Sequence, residues 1–282
     1  MSLFTTQVEL ITHLNNVSNK TTTIGFVPTM GALHEGHLSL LKESLKHNDI
    51  SVISIFVNPT QFNNAEDLAK YPKTLAVDIE KIKTVSSAII VFAPSVEDIY
   101  NGNTVSQHFD FEGLENQMEG KFRPGHFDGV GTIVKRLFEI VKPTYAYFGE
   151  KDFQQLQIVK KMVEKLKMNV TIVGCPIYRE PNGLAMSSRN ERLTDDQRKN
   201  AAIIFQTLTK AKALFATKSA KEVLNFVEKT FKNHPEFELE YFQIADETHL
   251  MPCIRKRAHI KYRAFIAVFV NKIRLIDTIS LN

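Results

Sequence analysis

The sequence has few cysteines, no long apolar run and little net charge. Cys175 and Cys253 lie far apart and lack CxxC spacing, so neither a disulfide scaffold nor a structural zinc site is indicated. This cysteine usage favours a cytosolic protein. No apolar run approaches the roughly 18 residues that a membrane span requires, and the first 20 residues lack the basic-then-apolar pattern of a signal peptide. We therefore expect a cytoplasmic protein with no membrane partner.

Charge and composition narrow the class further. The net charge of +4 comes from 35 basic and 31 acidic residues spread along the chain, so no nucleic-acid partner is predicted. The densest basic run, residues 255–263, is interpreted as an exposed turn and an edge strand. With 282 residues, 43% hydrophobic and 23% charged, the chain is globular and long enough for two domains. No internal repeat is visible, and the absence of a GxxxxGK[ST] loop argues against a P-loop enzyme.

Short β-rich runs alternate with helical patterns in the first 175 residues. The runs are nearly continuously apolar, as expected of strands buried on both faces. Such alternation predicts an α/β fold with a parallel sheet and helices on both sides. After residue 177 the pattern changes to helices followed by two strands at 237–246 and 263–270, which predicts a smaller α+β domain over residues 178–282. The five runs are 22–27, 50–57, 88–93, 145–148 and 169–174, and helical patterns include 37–48 and 65–85.

In such sheets ligands bind at the carboxyl ends of the strands, so the loops that follow the runs at 22–27, 50–57 and 145–148 are the candidate site. The first loop, "PTMGALHEGH", combines a Gly31 turn with His34 and His37 at the start of a helix. Amide groups and the positive dipole end of a helix bind anions, which favours phosphate. A His-x-x-His metal pair and two histidines near a helix cap remain alternatives at this point.

The other two loops carry neutral amides and a cation. "VNPTQF" supplies Asn58 and Gln61, which suit a small polar ligand or a simple Asn-Pro turn. "FGEKDFQQL" places Lys151 and Asp152 at a helix start and Gln155 one turn later. Lysine binds phosphate oxygens, and aspartate caps a helix or reaches a hydrated magnesium ion.

A fourth segment, "AMSSRN" at 185–190, combines two hydroxyls with a guanidinium ahead of a helix. Ser187, Ser188 and Arg189 together form a candidate phosphate clamp that closes from the second domain. The alternative is a linker with ordinary helix caps. Thr194 and Gln197 then have the spacing of a capping box.

Taken together, these segments resemble a known family. "HEGH" followed by "MSSRN" is similar to the paired HxGH and KMSKS-type signatures of nucleotidyltransferases, which bind ATP in a Rossmann-like domain. "VPTMGALHEGH", "SIFVNPTQF", "YPKT", "RPGHFDGVGTIV", "FGEKDFQQL" and "GLAMSSRN" resemble, in order and over nearly the whole chain, the pantoate:β-alanine ligase (pantothenate synthetase) family. The resemblance implies a Rossmann-like doubly wound parallel sheet over 1–177, with the second domain closing over the nucleotide.

The resemblance also implies a reaction and its residues. In that family pantoate attacks the α-phosphorus of magnesium ATP, and β-alanine then displaces AMP from pantoyl adenylate. His34 and His37 would contact the phosphates, with His37 as proton donor to the leaving group, and Gln61 and Gln155 would hold pantoate, with Gln61 also reaching β-alanine. The implied ATP site comprises Met30, Gly31, Ala32, Leu33, His34, Glu35, Gly36, His37, Gly149, Glu150, Lys151, Asp152, Tyr178, Met186, Ser187, Ser188 and Arg189, with Asn58 beside the acid and Asp78 and Asp152 as candidate ligands of Mg²⁺.

The sequence departs from the usual family pattern at three positions, and two other functions are alternatives. The family usually has an aliphatic or smaller residue at the position of Tyr178, proline at that of Asn101 and asparagine at that of Thr278. Another adenylyl or cytidylyl transferase would call for lysine or arginine at the two glutamines if its acceptor were phosphorylated. A catalytically silent nucleotide-binding regulator would be expected to lose one of the histidines, the lysine or the arginine. The family also implies a homodimer.

Overall fold

The first layer of the fold is a six-stranded parallel sheet. The computed structural model describes residues 1–62 and 65–282. All five predicted strands are present with bounds shifted by at most two residues, and a sixth short strand at the N-terminus was not predicted. The strand order is β1-β4-β3-β2-β5-β6, with β1 Ser2–Phe4, β2 Ile24–Thr29, β3 Ile50–Ile55, β4 Ile90–Phe92, β5 Tyr145–Gly149 and β6 Thr171–Cys175.

Helices connect these strands and form much of the second region. The prediction of one continuous helix over 65–85 is wrong, because the chain forms two helices on either side of residues 70–74. Pro72 lies in this break, and proline removes a backbone donor and disfavours a helical residue before it. The helices are α1 Gln7–Val17, α2 Glu35–His47, α3 Ala65–Ala69, α4 Leu75–Val85, α5 Val96–Tyr100, α6 Met118–Phe122, α7 His126–Val141, α8 Phe153–Lys165, α9 Asp195–Asn200, α10 Ala202–Phe215 and α11 Ala220–Lys232.

Side chains alternate between the two faces of the parallel sheet. Phe26 and Val52 pack in one core with α1, α7 and α8, whereas their neighbours Val27 and Ile53 pack in another with α2 and α4. Successive strand residues point to opposite faces, so both faces need apolar cover. This arrangement explains the continuous apolar runs and confirms the predicted doubly wound α/β sheet.

The second region is built on a three-stranded antiparallel sheet. Its order is β7-β8-β9, with β7 Phe237–Asp246, β8 Tyr262–Val270 and β9 Ile273–Ser280. The capping box of Thr194 and Gln197 is present at the start of α9. The predicted edge strand at 255–263 is wrong, because β8 pairs on both sides. β9 was not predicted, since the buried Asp277 interrupts its apolar pattern.

The two regions share a buried boundary. Arg263 of β8 is 5% exposed, pairs with Glu150 at 3.1 Å and stacks over the ring of Phe153 at 3.9 Å. Phe265 belongs to the core of the parallel sheet. A domain division at 177/178 stays a prediction, because side chains from both regions build this core. Among the described residues no helix has the length and apolar character to cross a membrane.

Candidate active site

A cleft opens where the neighbouring strands β3, β2 and β5 end. It is lined by the three loops that follow these strands, by α7, and by two segments around residues 176–178 and 186–189. The loops converge because the carboxyl ends of parallel strands lie at one edge of the sheet and the strand order reverses beside β2. Sequence positions more than 150 residues apart therefore face the same cavity.

The first loop is clamped by a helix on the opposite side from the cleft. Gly31 and Ala32 both have positive φ, at 85° and 49°, and turn the chain sharply after β2. The carboxylate of Asp78 accepts the backbone N–H groups of Ala32 and Leu33 at 3.0 and 2.7 Å. Lys81 Nζ donates to the Leu33 carbonyl at 2.6 Å.

This clamp corrects the prediction for Asp78. The residue is fully buried, and both carboxylate oxygens are held by loop amides, with Thr74 donating a further hydrogen bond at 3.1 Å. A carboxylate engaged in this way shapes the loop and has no oxygen directed at the cleft for a metal ion. Ala32 and Leu33 belong to the implied ATP site, but their backbone amides are bonded to Asp78.

The two histidines stack at the start of α2. Their ring centroids lie 4.0 Å apart, and the His34 backbone N–H donates to Nδ1 of His37 at 3.3 Å. Since Nδ1 of His37 accepts this bond, the neutral ring carries its proton on Nε2. Gly36 permits the stack, because a Cβ there would lie 2.9 Å from the His34 ring. His37 lines the cleft and thus offers it a neutral ring with an Nε2–H donor.

The charge state of the pair follows from its surroundings. Burial, then the nearby charge of Lys151 and then that of Lys81, lower the pKa of His37 to about 4. Burial, followed by His37, Lys151 and Lys81, lowers the pKa of His34 to about 2. Both imidazoles are therefore neutral near pH 7. Such a ring donates a hydrogen bond to a phosphate oxygen without carrying a positive charge.

The second loop presents Gln61 on a buried support. Asn58 is 1% exposed, and its amide donates to Gln61 Oε1 at 3.2 Å and to the Gly129 carbonyl at 3.1 Å. Its Oδ1 accepts from the Tyr100 hydroxyl at 2.6 Å. Asn58 lines the cleft, but its polar atoms are committed to holding the loop, so the structure favours a supporting role over the predicted substrate contact. Gly129 is required here, because a Cβ would lie 2.3 Å from the Thr60 carbonyl.

The loop after β5 forms a short 3-10 turn, Glu150–Asp152, that leads into α8. Lys151 Nζ lies 3.6 Å from Asp152 and both residues line the cleft, as does Gln155. Glu150 instead points to Arg263 of the second sheet. Glu150 does not line the cleft, so the structure does not support its predicted place in the ATP site.

The 186–189 segment reaches the first loop from the second region. Ser188 Oγ donates to the Ala32 carbonyl at 3.0 Å, and Ser187 Oγ accepts the Arg189 N–H at 3.3 Å. Asn190 anchors the segment, because its amide donates to Glu180 at 2.7 Å and to the Ala185 carbonyl at 3.1 Å. The hydroxyls and guanidinium are thus delivered to the cleft by a braced turn.

Arg179 stabilises the stretch of chain that leads into the 186–189 segment, and its backbone forms a bridge with Ala185. Its guanidinium forms a bidentate pair with the buried Asp277 at 2.6 and 3.0 Å and stacks over Phe205 at 3.8 Å. Burial raises the pKa of Asp277 even though Arg179 favours its ionised form. Tyr178, one of the three residues that depart from the family pattern, directly precedes Arg179. It lines the cleft and is 42% exposed.

Most predicted site residues converge, and six do not line the cavity. Leu33 is buried in the core beside α2, and Glu35 is exposed and pairs with Lys42 at 3.7 Å. The six are Gly31, Ala32, Leu33, Glu35, Asp78 and Glu150, whereas Met30, His34, Gly36, His37, Asn58, Gln61, Gly149, Lys151, Asp152, Gln155, Tyr178, Met186, Ser187, Ser188 and Arg189 all line it.

Sequence reasoning missed two basic residues beside the cleft. Arg123 and His126 contact each other at 3.2 Å, and His126 Nδ1 donates to the Gln61 carbonyl at 2.8 Å. The "RPGHF" block contained both residues, but no local pattern linked them to Gln61, which lies 65 positions earlier in the sequence. Burial, followed by the charge of Arg123, lowers the pKa of His126 to about 4.

The donor set for a metal ion is sparse. Within 1–62 and 65–282 no cluster of three or more histidine, cysteine, aspartate or glutamate side chains could hold one. Asp152 is the one predicted acidic ligand that borders the cleft. The histidine pair therefore does not form a protein metal centre by itself, and the residues fit a magnesium ion only if a bound phosphate chain supplies most of its ligands.

Proteins of similar sequence place this chain in a family. A family model described as Pantoate-beta-alanine ligase matches residues 2–280. A pantothenate synthetase of Flavobacterium psychrophilum is 66% identical over 281 residues and one of Christiangramia forsetii is 54% identical over 282 residues, each comparison covering 100% of both chains.

Two solved structures share the whole architecture. Pantothenate synthetase from Thermus thermophilus superposes with a TM-score of 0.90 at 37% identity, covering 100% of this chain and 99% of that one. Pantoate-beta-alanine ligase from Francisella tularensis, complexed with beta-gamma ATP and beta-alanine, superposes with a TM-score of 0.80 at 35% identity, covering 100% and 98%. This chain belongs to the pantoate-beta-alanine ligase family.

Proposed function

We propose that the cleft joins pantoate to β-alanine with ATP, giving pantothenate, AMP and diphosphate by way of pantoyl adenylate. The observation that carries this proposal is the pairing of two neutral amides, Gln61 and Gln155, with the histidine pair and Lys151 in one cavity. Amides bind the hydroxyls and carboxylate of pantoate without neutralising the nucleophile. A phosphorylated acceptor would require a cation at these positions.

In the first step a carboxylate oxygen of pantoate attacks the α-phosphorus of ATP. The new P–O bond forms as the bond from the α-phosphorus to the bridging oxygen of diphosphate breaks. Negative charge develops on the phosphoryl oxygens and on the departing diphosphate. Lys151 stabilises this charge as a cation and His37 as an Nε2–H donor, which is the kind of fixed electrostatic contact that lowers a barrier most.

The neutral state of His37 refines its predicted role as a proton donor. With a pKa of about 4, the ring enters the reaction uncharged and donates a hydrogen bond. Diphosphate is stabilised by that bond without full proton transfer. His34 stacks on His37 and keeps the ring aimed at the phosphates.

In the second step the amine of β-alanine attacks the acyl carbon of the adenylate. A C–N bond forms, the C–O bond to AMP breaks, and the amine loses a proton. Gln61 lies beside the acyl group in this scheme and orients the amine. Holding two reactants in line supplies about 7 to 11 kcal/mol of barrier reduction, so this step needs no covalent enzyme nucleophile.

Ser187, Ser188 and Arg189 close over the triphosphate in this proposal. The Ser188 bond to Ala32 joins the two segments across the nucleotide pocket. Magnesium, when bound with ATP, neutralises phosphate charge, and Asp152 is the residue that would hold it. Tyr178 contributes its backbone to the adenine pocket. We also expect a homodimer, which sedimentation of the purified protein would check, and a cytoplasmic location, which cell fractionation would check.

An ATP–diphosphate exchange assay across candidate acids tests the proposal. We expect exchange that depends on pantoate, with net AMP formed only after β-alanine is added. Exchange with another acid, or AMP released without the amine, would contradict the assignment of substrates. The two-step scheme would fail if no acid supported exchange.

A further inference from the structure

Glu119, on the short helix α6, lies at a junction between the two regions of the molecule. The residue is 8% exposed, and its backbone N–H donates to Gln154 Oε1 at 2.9 Å. The Gln154 amide also donates to the carbonyls of Leu114 and Gln117, both at 2.8 Å. Gln154 directly precedes Gln155, so α6 is fixed to the turn of α8 that carries one of the two proposed acid-binding amides.

The Glu119 carboxylate is held by the antiparallel sheet. Arg274 of β9 donates to its two oxygens, both at 2.8 Å, and the hydroxyl of Tyr241 on β7 donates at 2.7 Å. Burial alone would raise the pKa of this carboxyl, but the Arg274 hydrogen bonds and charge outweigh burial and lower the pKa to about 2. The group is therefore a buried anion at neutral pH.

The same carboxylate is also linked, through Arg123 and His126, to the backbone of Gln61, which carries the second proposed acid-binding amide. Arg123 Nη1 lies 3.7 Å from Glu119 and 3.2 Å from His126 Nε2. His126 then donates through Nδ1 to the Gln61 carbonyl at 2.8 Å, and Arg123 reaches the same carbonyl at 3.4 Å. A chain of direct contacts thus runs from the antiparallel sheet to the backbone of Gln61.

Charge balance explains why this position requires a carboxylate. Arg123 and Arg274 both approach Glu119, so the anion lies between two guanidinium groups. Removal of one member of a buried ion pair leaves an uncompensated buried charge, which is strongly destabilising. We therefore expect Arg123 to shift toward solvent when the carboxylate is removed. If Arg123 shifts, His126 loses the donor that orients its ring beneath Gln61.

We infer that Glu119 is a positioning residue whose carboxylate fixes Gln61, through Arg123 and His126, in the geometry that binds the acid substrate. It acts through these neighbours and does not touch the substrate. The inference rests on the proposed function for the identity of the acid. It adds that the antiparallel sheet sets the shape of a pocket built mostly from loops of the parallel sheet.

Hydrogen–deuterium exchange on the substrate-free protein tests the inference directly. Glu119→Gln keeps the size of the side chain and removes its charge. We expect faster exchange, by about tenfold, in peptides covering residues 56–62, with unchanged exchange in β2 and β5, since a tenfold change corresponds to about 1.4 kcal/mol of local opening. The matched control is Glu240→Gln, because Glu240 accepts from the same Arg274 at 2.9 Å yet lies outside the contacts to Arg123.

Equal exchange of residues 56–62 in wild type and Glu119→Gln would overturn the inference. The same increase in both variants would also overturn it, since loss of any Arg274 partner would then suffice. If Glu119→Gln does not fold, Tyr241→Phe removes one neutral hydrogen bond to the same carboxylate. We expect a smaller shift at 56–62 from that variant, and no shift there would count against the inference.

Kinetics separate positioning from simple stabilisation. For Glu119→Gln we expect KM for the acid to rise about tenfold while KM for ATP stays within twofold, as for loss of substrate binding without loss of nucleotide binding. A purely structural role would lower Tm and kcat and leave both KM values unchanged. If wild type prefers an acid other than pantoate, the proposed function fails, but the exchange comparison still decides the role of Glu119.

Discussion

The cleft has two sides that are built in different ways. The nucleotide side consists of His34, His37, Lys151 and the 187–189 segment, and the acid side consists of Gln61 and Gln155. On the nucleotide side the histidine pair is arranged within one loop, by the bond from the His34 N–H to His37, and Asp78 and Ser188 brace that loop from 46 and 156 positions away. On the acid side the Gln61 backbone carbonyl is held by Arg123 and His126, which are both remote in sequence. A local motif therefore encodes the histidine pair, whereas the support of the acid side is assembled by the fold.

The largest expected effect comes from His37→Ala on the nucleotide side. Loss of a donor to developing phosphate charge should lower kcat for ATP–diphosphate exchange by about 10² to 10³. His47→Ala at the other end of α2 is the matched control, because that histidine is solvent-exposed and paired with Glu43. Steady-state exchange and Tm measure both variants, and near-wild-type exchange by His37→Ala would contradict the proposed role.

Gln155→Ala should break the acid side with a smaller effect. An unmade hydrogen bond in a site built to bind a polar substrate costs about 1 to 3 kcal/mol, so KM for pantoate should rise about 5- to 150-fold. KM for ATP should change little. Gln157→Ala on the same helix provides the control, since that residue does not line the cleft. Equal losses for both substrates would remove the distinction between the two sides.

Asp78→Asn tests whether the carboxylate shapes the loop or binds metal. An asparagine amide would oppose one of the two backbone N–H donors, so we expect a stability loss of about 1 to 3 kcal/mol and a moderate rise in KM for ATP. Urea unfolding and exchange kinetics measure these changes. The magnesium concentration that gives half-maximal activity should stay at the wild-type value, and an increase there would restore Asp78 as a ligand.

The histidines predict a pH dependence of smaller size. Their pKa values of about 2 for His34 and about 4 for His37 lie below the ordinary value of 6.5, so the unfolded chain binds protons that the folded chain does not as pH falls through 6.5. Stability should therefore decrease from about pH 7 to pH 5. His37→Gln should show a weaker decrease in urea unfolding. An equal slope in the two proteins would contradict a buried neutral His37.

Sequence patterns predicted the parallel sheet well because its strands are apolar on both faces. They also located the loops after β2, β3 and β5, since strand order alone brings those loops together. The functions of Asp78 and Asn58 were not accessible, because their bonds to Ala32 and Gly129 join residues 46 and 71 positions apart. The same limit explains why β9 was not predicted, because its buried Asp277 pairs with Arg179, which lies 98 positions earlier in the sequence.

The role of Arg123 and His126 could not be predicted for a similar reason. Their block stood out in the sequence, yet the group that they support is the backbone carbonyl of Gln61, which carries no side-chain signal. Glu119 is one contact further from Gln61, and its partners Arg274 and Tyr241 belong to the antiparallel sheet. Residue types alone therefore indicate the chemistry of the acid side but not its support.

The central claim is that the acid side places a substrate carboxylate against the α-phosphorus held by the nucleotide side. Pantoate labelled with ¹⁸O in both carboxylate oxygens tests this claim most directly, with mass analysis of the products of one turnover in the presence of β-alanine. The predicted result is one ¹⁸O atom in each AMP and none in diphosphate. Label in diphosphate, or AMP without label, would contradict attack of the carboxylate on the α-phosphorus.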